Sequence, residues 1–437
     1  MKLFLEVEQF GRIESAKVCL TGFTIFVGDN NSGKTYIMQL AHGILQYLPT
    51  ILLDATNASE IPNASSYTLN PEALHGLLDK INHTLSSSKQ DIIRHIFGAD
   101  IPIQKLAISI EDFNNTYKIL AEISPDSTRT FYTLTSGGRI FTTQFATEVS
   151  VPREQGFAYC VTALFLSEGL HLSELNNPLE CNSIYLPSSR SGMLLLYRQF
   201  FANSGLPKMI VNEAPKTAPV DINLPKPLLD FLTFLQTYKP SGVEKNTALL
   251  HFLYENLADG TISMGTNEMQ YQPHGLNFQL QMPLCSSLIN ELTPLVQVLT
   301  SNREYSYIMY DEVETCLHPT KQIQMARLLI RLVNRGKNLL VSTHSDTMAM
   351  ALNNLFLLSC SQSVNRAELL QQLGYTTDDL LKTVMPRVYQ FSREGDTTTV
   401  AELPMSLNPN TGFKFDQFWK SGEKIYADAS AIMGVNS

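Results

Sequence analysis

The chain has 437 residues, a formal net charge of −9 and 44% hydrophobic residues, which is ample for a buried core and argues against disorder over most of its length. Such a length implies two or three compact units, or one core with a large insertion. The acidic balance gives no support to a broad nucleic-acid-binding surface, and no apolar run is long enough to span a bilayer.

The six cysteines form no CxxC pair and have no histidines at metal-ligand spacing, so buried reduced thiols are expected. Acidic residues come too early in MKLFLEVEQFGRIES for a signal peptide, and the expected compartment is the cytoplasm.

In chain order, Leu3 to Val7 and Ala16 to Leu20 read as short strands, and Phe23 to Val27 as a third that runs into Gly28. Apolar residues at helical spacing follow from Tyr36 to Leu45. Residues 50–100 are polar and helix-like, and 104–145 alternate as a β-meander. Ser183 to Pro187 reads as a strand ending in Ser188-Ser189-Arg190-Ser191-Gly192, with a helix to about Ala202. A Pro- and Asn-rich loop over 203–225 precedes helices at Leu228 to Tyr238 and Asn246 to Leu257. Gly260 to Met264 and Leu276 to Gln281 suggest a hairpin, and Ser287 to Leu299 a helix. Strands Tyr305 to Tyr310 and Asn338 to Ser342 flank a helix at Thr320 to Asn334, a βαβ unit that requires a parallel sheet. Val388 to Phe391 and Thr398 to Leu403 read as closing strands, and Phe415 to Ile432 as a terminal helix.

The segment Gly28-Asp29-Asn30-Asn31-Ser32-Gly33-Lys34-Thr35 matches G-x-x-x-x-G-K-[ST] in full, between a buried strand and a helix. Glycines at 28 and 33 let the backbone wrap a phosphate chain, and successive N–H groups then meet its charge. Lys34 is expected to reach the β- and γ-phosphates of ATP, and Thr35 to give its hydroxyl to Mg²⁺. A metal-holding acid is needed at the end of a second buried strand. Asp311 occupies that place, and Glu312 stands beside it to polarise an attacking water. The fold class these motifs imply is α/β: a P-loop core with a mixed sheet flanked by helices and a largely helical insertion. The expected segments are 1–50 with the P-loop, 51–103 helical, 104–202 with the meander, 203–258 as the insertion, and 259–437 as a second lobe.

Asp311-Glu312-Val313-Glu314-Thr315-Cys316-Leu317-His318-Pro319, followed after one helix by LLVSTHSD, resembles the Walker B and H-switch region of ABC-type ATPases. Within them it is most similar to the OLD-like AAA-15/AAA-21 branch, as are GDNNSGKT and the arginine turn after Tyr185. The resemblance covers about half of the chain. It implies that His344 senses the γ-phosphate or Glu312, and that a serine-bearing signature at a helix start completes the site of a second subunit. Ser286 and Ser287, before the helix to Leu299, are the candidates, without the glycine that normally follows such serines.

Downstream of His344 there is no Asp-x-Asp pair of the kind a Toprim nuclease needs, and no HNH-like cluster, so the chain reads as an ATPase without its own nuclease. The resemblance implies a homo-oligomer, a dimer or ring of dimers built on ATP sandwiches, that controls a separate nuclease or toxin effector. Septu, retron-associated and PARIS-type anti-phage systems have such ATPase subunits. DNA or a phage protein is the implied trigger, and no membrane is involved. The alternative is a DNA-repair or chromosome-maintenance ATPase that clamps DNA; the chain shows no sustained heptads and no basic stripe.

Overall fold

The computed structural model describes residues 1–57, 65–136, 139–148, 152–170, 182–196, 224–266, 268–361, 366–382, 385–407 and 410–435. The chain opens with β1 (Lys2–Phe10), β2 (Ile13–Cys19) and β3 (Phe23–Gly28), then helix α1 (Lys34–Asn57). Next come β4 (Ser66–Leu69), α2 (Pro71–Phe97), β5 (Lys105–Glu111), β6 (Tyr117–Ile123), β7 (Arg129–Ser136), β8 (Arg139–Glu148) and α3 (Arg153–Leu170). The middle gives β9 (Ser183–Leu186), α4 (Arg190–Leu196), α5 (Lys226–Thr237) and α6 (Thr247–Leu253), which runs into a π-turn at Tyr254–Ala258. Three short strands follow, β10 (Gly260–Met264), β11 (Met269–Pro273) and β12 (Leu280–Gln281). Then come α7 (Ser287–Thr300), β13 (Tyr307–Tyr310), α8 (Pro319–Asn334), β14 (Asn338–Thr343), α9 (Asp346–Cys360) and α10 (Arg366–Leu373). Further along lie β15 (Arg387–Glu394), β16 (Thr397–Leu403) and α11 (Asp416–Val435). Among the described residues, no helix is long and apolar enough to cross a membrane.

One mixed sheet of nine strands carries the chain, in the order β5-β1-β2-β16-β15-β3-β14-β13-β9. From β15 to β9 all neighbours are parallel, so the carboxyl ends of β3, β14, β13 and β9 share one edge. Ligands of such sheets bind outside that edge. The parallel strands are buried on both faces, as crossover helices require. Phe26, Tyr307, Met309 and Leu340 point into one core with α1, α2 and α3. Phe23, Ile25, Val27, Ile308, Tyr310, Leu339 and Val341 point into the other, with α5, α7, α8 and α9.

Two sequence expectations are corrected. Residues 104–145 are not one meander: β5 leaves it and pairs antiparallel with β1, Leu5 opposite Ile108, while β4, β6, β7 and β8 form their own sheet. The reason is the edge of β1, which needs a partner; Asn82 of α2 then satisfies Ile108 on the outer side, accepting from its N–H (2.8 Å) and donating to its carbonyl (2.9 Å). The hairpin partner of β10 is β11 rather than 276–281, of which only Leu280 and Gln281 are strand. Met269 is buried opposite Met264, whereas Leu276 and Phe278 lie exposed. The helix expected to reach Ala202 is described only to Leu196; the remainder lies outside the described residues, as does most of the 203–225 loop.

The second core is closed at one end by a buried acid. Asp379, fully buried, accepts from Arg327 Nη2 and Arg331 Nε of α8, each at 2.8 Å. Burial pushes its carboxyl up, but the two guanidinium hydrogen bonds more than reverse this, so it titrates below its ordinary value. Such a depressed acid contributes stability that is fully present above the unfolded pKa near 4 and is lost as pH falls through the folded value. Asp379→Ala should therefore cost about 3–5 kcal/mol at pH 7, by leaving two arginines beside an apolar void. Urea unfolding at pH 7 and near pH 3 should show the difference shrinking at the acid end.

Candidate active site

The turn after β3 is shaped by what will not fit there. Gly28 has φ +131°, and a Cβ on it would stand 2.1 Å from the carbonyl oxygen of Phe391 in β15. Gly33 has φ +94°, and its Cβ would press on Ile13. Asn31, at φ +58°, takes the left-handed position that asparagine tolerates. Asn30 and Asn31 are exposed at the loop crest, whereas Ser32 is buried, its hydroxyl donating to Asp29 O at 2.7 Å. Lys34 is only 3% exposed. Its Nζ folds over its own loop, donating to Gly28 O (2.9 Å), Asp29 O (2.6 Å) and Ser32 Oγ (3.2 Å). Burial lowers the Lys34 pKa to about 8, against the opposing pull of Asp311, Asp29, Glu312 and Glu314.

Asp311 leaves β13 fully buried. Oδ2 accepts from Thr35 Oγ1 and from Tyr185 Oη, each at 2.9 Å, and Oδ1 accepts from Ser342 Oγ at 2.5 Å. Beside it, Glu312 adopts φ +45°, a conformation costing about 1–3 kcal/mol for a residue with a side chain. Ser342 Oγ restrains it by accepting its N–H at 2.8 Å. His344 follows β14: its backbone N–H donates to Glu314 Oε1 at 2.6 Å and its Nδ1 lies 3.1 Å from Gly28 O. Nδ1 also lies 3.3 Å from Lys34 Nζ, from which it can accept, and Nε2 faces Glu312 Oε1, 3.4 Å away, to which it can donate. That contact, first among the causes, holds the Glu312 carboxyl below its ordinary value, so it stays ionised at neutral pH.

The structure thus brings Gly28, Asn30 to Thr35, Asp311, Glu312 and His344 to one sheet edge. All but Gly28 and Asp311 border an open cavity of about 920 Å³, lined also by Phe10, Arg12, Ile13, Tyr36, Ile101 and Arg393. Asp311 sits behind Thr35 and does not line it. Ser286 and Ser287 are not brought to the cavity: they are exposed at the start of α7, where Ser287 hydrogen bonds to Cys316. His318 caps α8, accepting from Thr320 N–H at 3.4 Å.

Four residues were missed by sequence reasoning. Tyr185 and Ser342 could have been found as hydroxyls at the ends of strands that must flank a buried acid. Arg190 had only its place in the Ser188–Gly192 turn as a signal, and Glu291, within an apolar helix, had its charge alone.

An ion fits these residues. Thr35 and Asp311 offer hard oxygens, and Mg²⁺ takes few protein ligands, completing its shell with phosphate oxygens and water. Among the described residues there is no cluster of three or more His, Cys, Asp or Glu that would suit another metal.

Strand order, glycine loop and acid pair together define a P-loop protein with an ABC-ATPase-like core. No family model and no curated protein matches the sequence. Among solved structures, the SMC head bound to the C-terminal winged-helix domain of ScpA aligns over 93% of this chain and 98% of that one, at 15% identity and TM-score 0.39. The SMC head domain from Thermotoga maritima aligns over 92% and 100%, at 11% identity and TM-score 0.33. The Smc head domain with an extended coiled coil, bound to the C-terminal domain of ScpA from Pyrococcus furiosus, aligns over 97% and 98%, at 14% and 0.37. Superpositions this loose carry no inference about function.

Gly28→Ala should combine a strained φ with a clash against the Phe391 backbone, which cannot yield as a side chain would. We expect about 3 kcal/mol or more of destabilisation, with nucleotide binding lost. Thermal unfolding with and without ATP checks both; a variant still stabilised by ATP would contradict the close approach of β3 and β15.

Proposed function

We propose that the chain binds and slowly hydrolyses ATP as an ABC-type ATPase, assembles through ATP sandwich dimers, and controls a separate nuclease or toxin effector in anti-phage defence. The observation that carries the ATPase reading is the convergence of Lys34, Thr35, Glu312 and His344 on one cavity, with Asp311 held behind Thr35. The loop's N–H groups and the start of α1 receive the triphosphate, and Lys34 exchanges its loop carbonyls for phosphate oxygens. Thr35 and Asp311 would hold Mg²⁺, which would neutralise charge on the phosphates. Glu312 orients a water and takes its proton as the water oxygen bonds to the γ-phosphorus; the bridging oxygen leaves with its electron pair on ADP. His344, tied to both Gly28 O and Glu312, links loop to base and positions the γ-phosphate.

The sandwich is supported by the exposed start of α7, where Ser286, Ser287 and Leu284 (70% exposed) offer a surface to a second copy's nucleotide. The effector and its trigger, DNA or a phage protein, rest on the sequence resemblance alone.

Lys34→Ala should abolish ATP binding or turnover. Glu312→Gln should keep binding and lower turnover by about 10²–10⁴-fold, the usual contribution of a general base, trapping an ATP-bound assembly. Phosphate release, nucleotide titration and mass measurement with and without ATP and Mg²⁺ read these effects; a Glu312→Gln protein that turns over normally would refute the assignment. Co-purification of a small nuclease or toxin from the native operon would support effector control. An ATP-dependent dimer that retains DNA and brings no effector would favour a DNA clamp.

A further inference from the structure

We propose that Arg190 is a positioning residue that holds Glu312 in its working conformation, and that Glu291 of α7 anchors it there; this rests on the ATPase reading above. Arg190 and Glu291 are 0% and 2% exposed, a charge pair inside the second core. Buried charges persist only where their partners are supplied, and Arg190 has a partner for each part of its fork. Nη1 donates to Pro187 O (2.9 Å) and Asp311 O (2.8 Å), and Nη2 donates to Glu312 O (3.1 Å). Nε stands 2.6 Å from Glu291 Oε2 as an ion pair, and the guanidinium face lies 4.5 Å from the Tyr310 ring centroid. Ser191, the next residue, donates to Glu291 from both its N–H and its hydroxyl.

One side chain thus grips the carbonyls of both acids as the chain leaves β13. The turn needs such a grip because Glu312 has φ +45° with no glycine to relieve it. Ser342 secures the N–H side of Glu312, and on the carbonyl side Arg190 joins Thr315, whose N–H (3.0 Å) and Oγ1 (2.8 Å) donate to the same oxygen; Arg190 alone ties that oxygen to the carbonyl of Asp311. The carboxylate then has one direction left to extend, into the cavity beside His344. Arg190 does not line the cavity; it acts through the Glu312 backbone.

Arg190→Lys keeps the charge but loses the planar fork. Glu291→Gln keeps the shape but loses the anchor's charge. We expect each to leave the ATP dissociation constant within about threefold while turnover falls about tenfold or more. In a Glu312→Gln background, measured by single turnover with enzyme in excess, neither should lower the rate further, because the group they position is already gone. Wild-type turnover in both variants, or the same fold-loss repeated in the Glu312→Gln background, would overturn the proposal. A lowered melting temperature with unchanged turnover well below it would show a purely structural pair and overturn it equally. If Arg190→Lys does not fold, Glu291→Gln decides by the same readouts. Normal turnover in the Glu312→Gln single variant would instead refute the ATPase reading itself.

Discussion

A carboxylate with no exposure to solvent must be fed by hydrogen-bond donors, because an unpaired buried charge costs several kcal/mol. Asp311 is fed from three directions: Thr35 at the start of α1, Tyr185 on β9 and Ser342 on β14. Its own N–H donates to Leu186 O at 3.0 Å. These contacts fix more than one side chain. They set β13 between β9 and β14 in the register that pairs Tyr310 with Leu186 and with Val341. They also pull the first turn of α1 over the sheet edge, which places the glycine loop against the same corner.

The loops leaving that edge are tied to one another in pairs. Gly28 O meets His344 Nδ1, His344 N–H donates to Glu314 Oε1, and Glu312 N–H donates to Ser342 Oγ. Lys34 rests on the carbonyls of its own loop, partly desolvated. Incoming phosphate replaces those carbonyls with full negative charges, so the lysine gains more from the exchange than a solvated lysine would. Release of Gly28 O changes the environment of His344 directly, and through its Nε2 that of Glu312. Phosphate binding and the state of the base are therefore linked by two contacts.

The glycine loop and acid pair were legible in the sequence because their chemistry is local: a run of eight residues, and two acids at the end of an apolar strand. The parallel order of β13 and β14 was legible too, from the helix between them. What could not be read locally were contacts made across the fold. Gln39 lies close in sequence to the loop, yet the hydroxyl of Tyr185 that joins it to Asp311 comes from 146 residues further along the chain. The departure of β5 from the meander followed the same logic: its pattern of alternation suits either sheet, and only the open edge of β1 decides. Period-two alternation says that a strand has two faces, not which neighbour it will find.

Glu291 and Ser287 illustrate how distant parts of the site share one rigid body. They are four residues apart on α7 and so lie on the same face of the helix. Ser287 hydrogen bonds to Cys316, in the loop that follows Glu312, while Glu291 reaches Arg190 and through it the carbonyl of Glu312. The first turn of α7 therefore abuts the segment 312–316 from both ends. Cys316 at φ +60° and Glu312 at φ +45° bracket that segment with two left-handed residues. Such a pair of bends is held by its contacts: Thr315 donates from its N–H (3.0 Å) and its hydroxyl (2.8 Å) to Glu312 O, Arg190 donates to the same carbonyl, and Ser342 accepts the N–H groups of Glu312 and Val313.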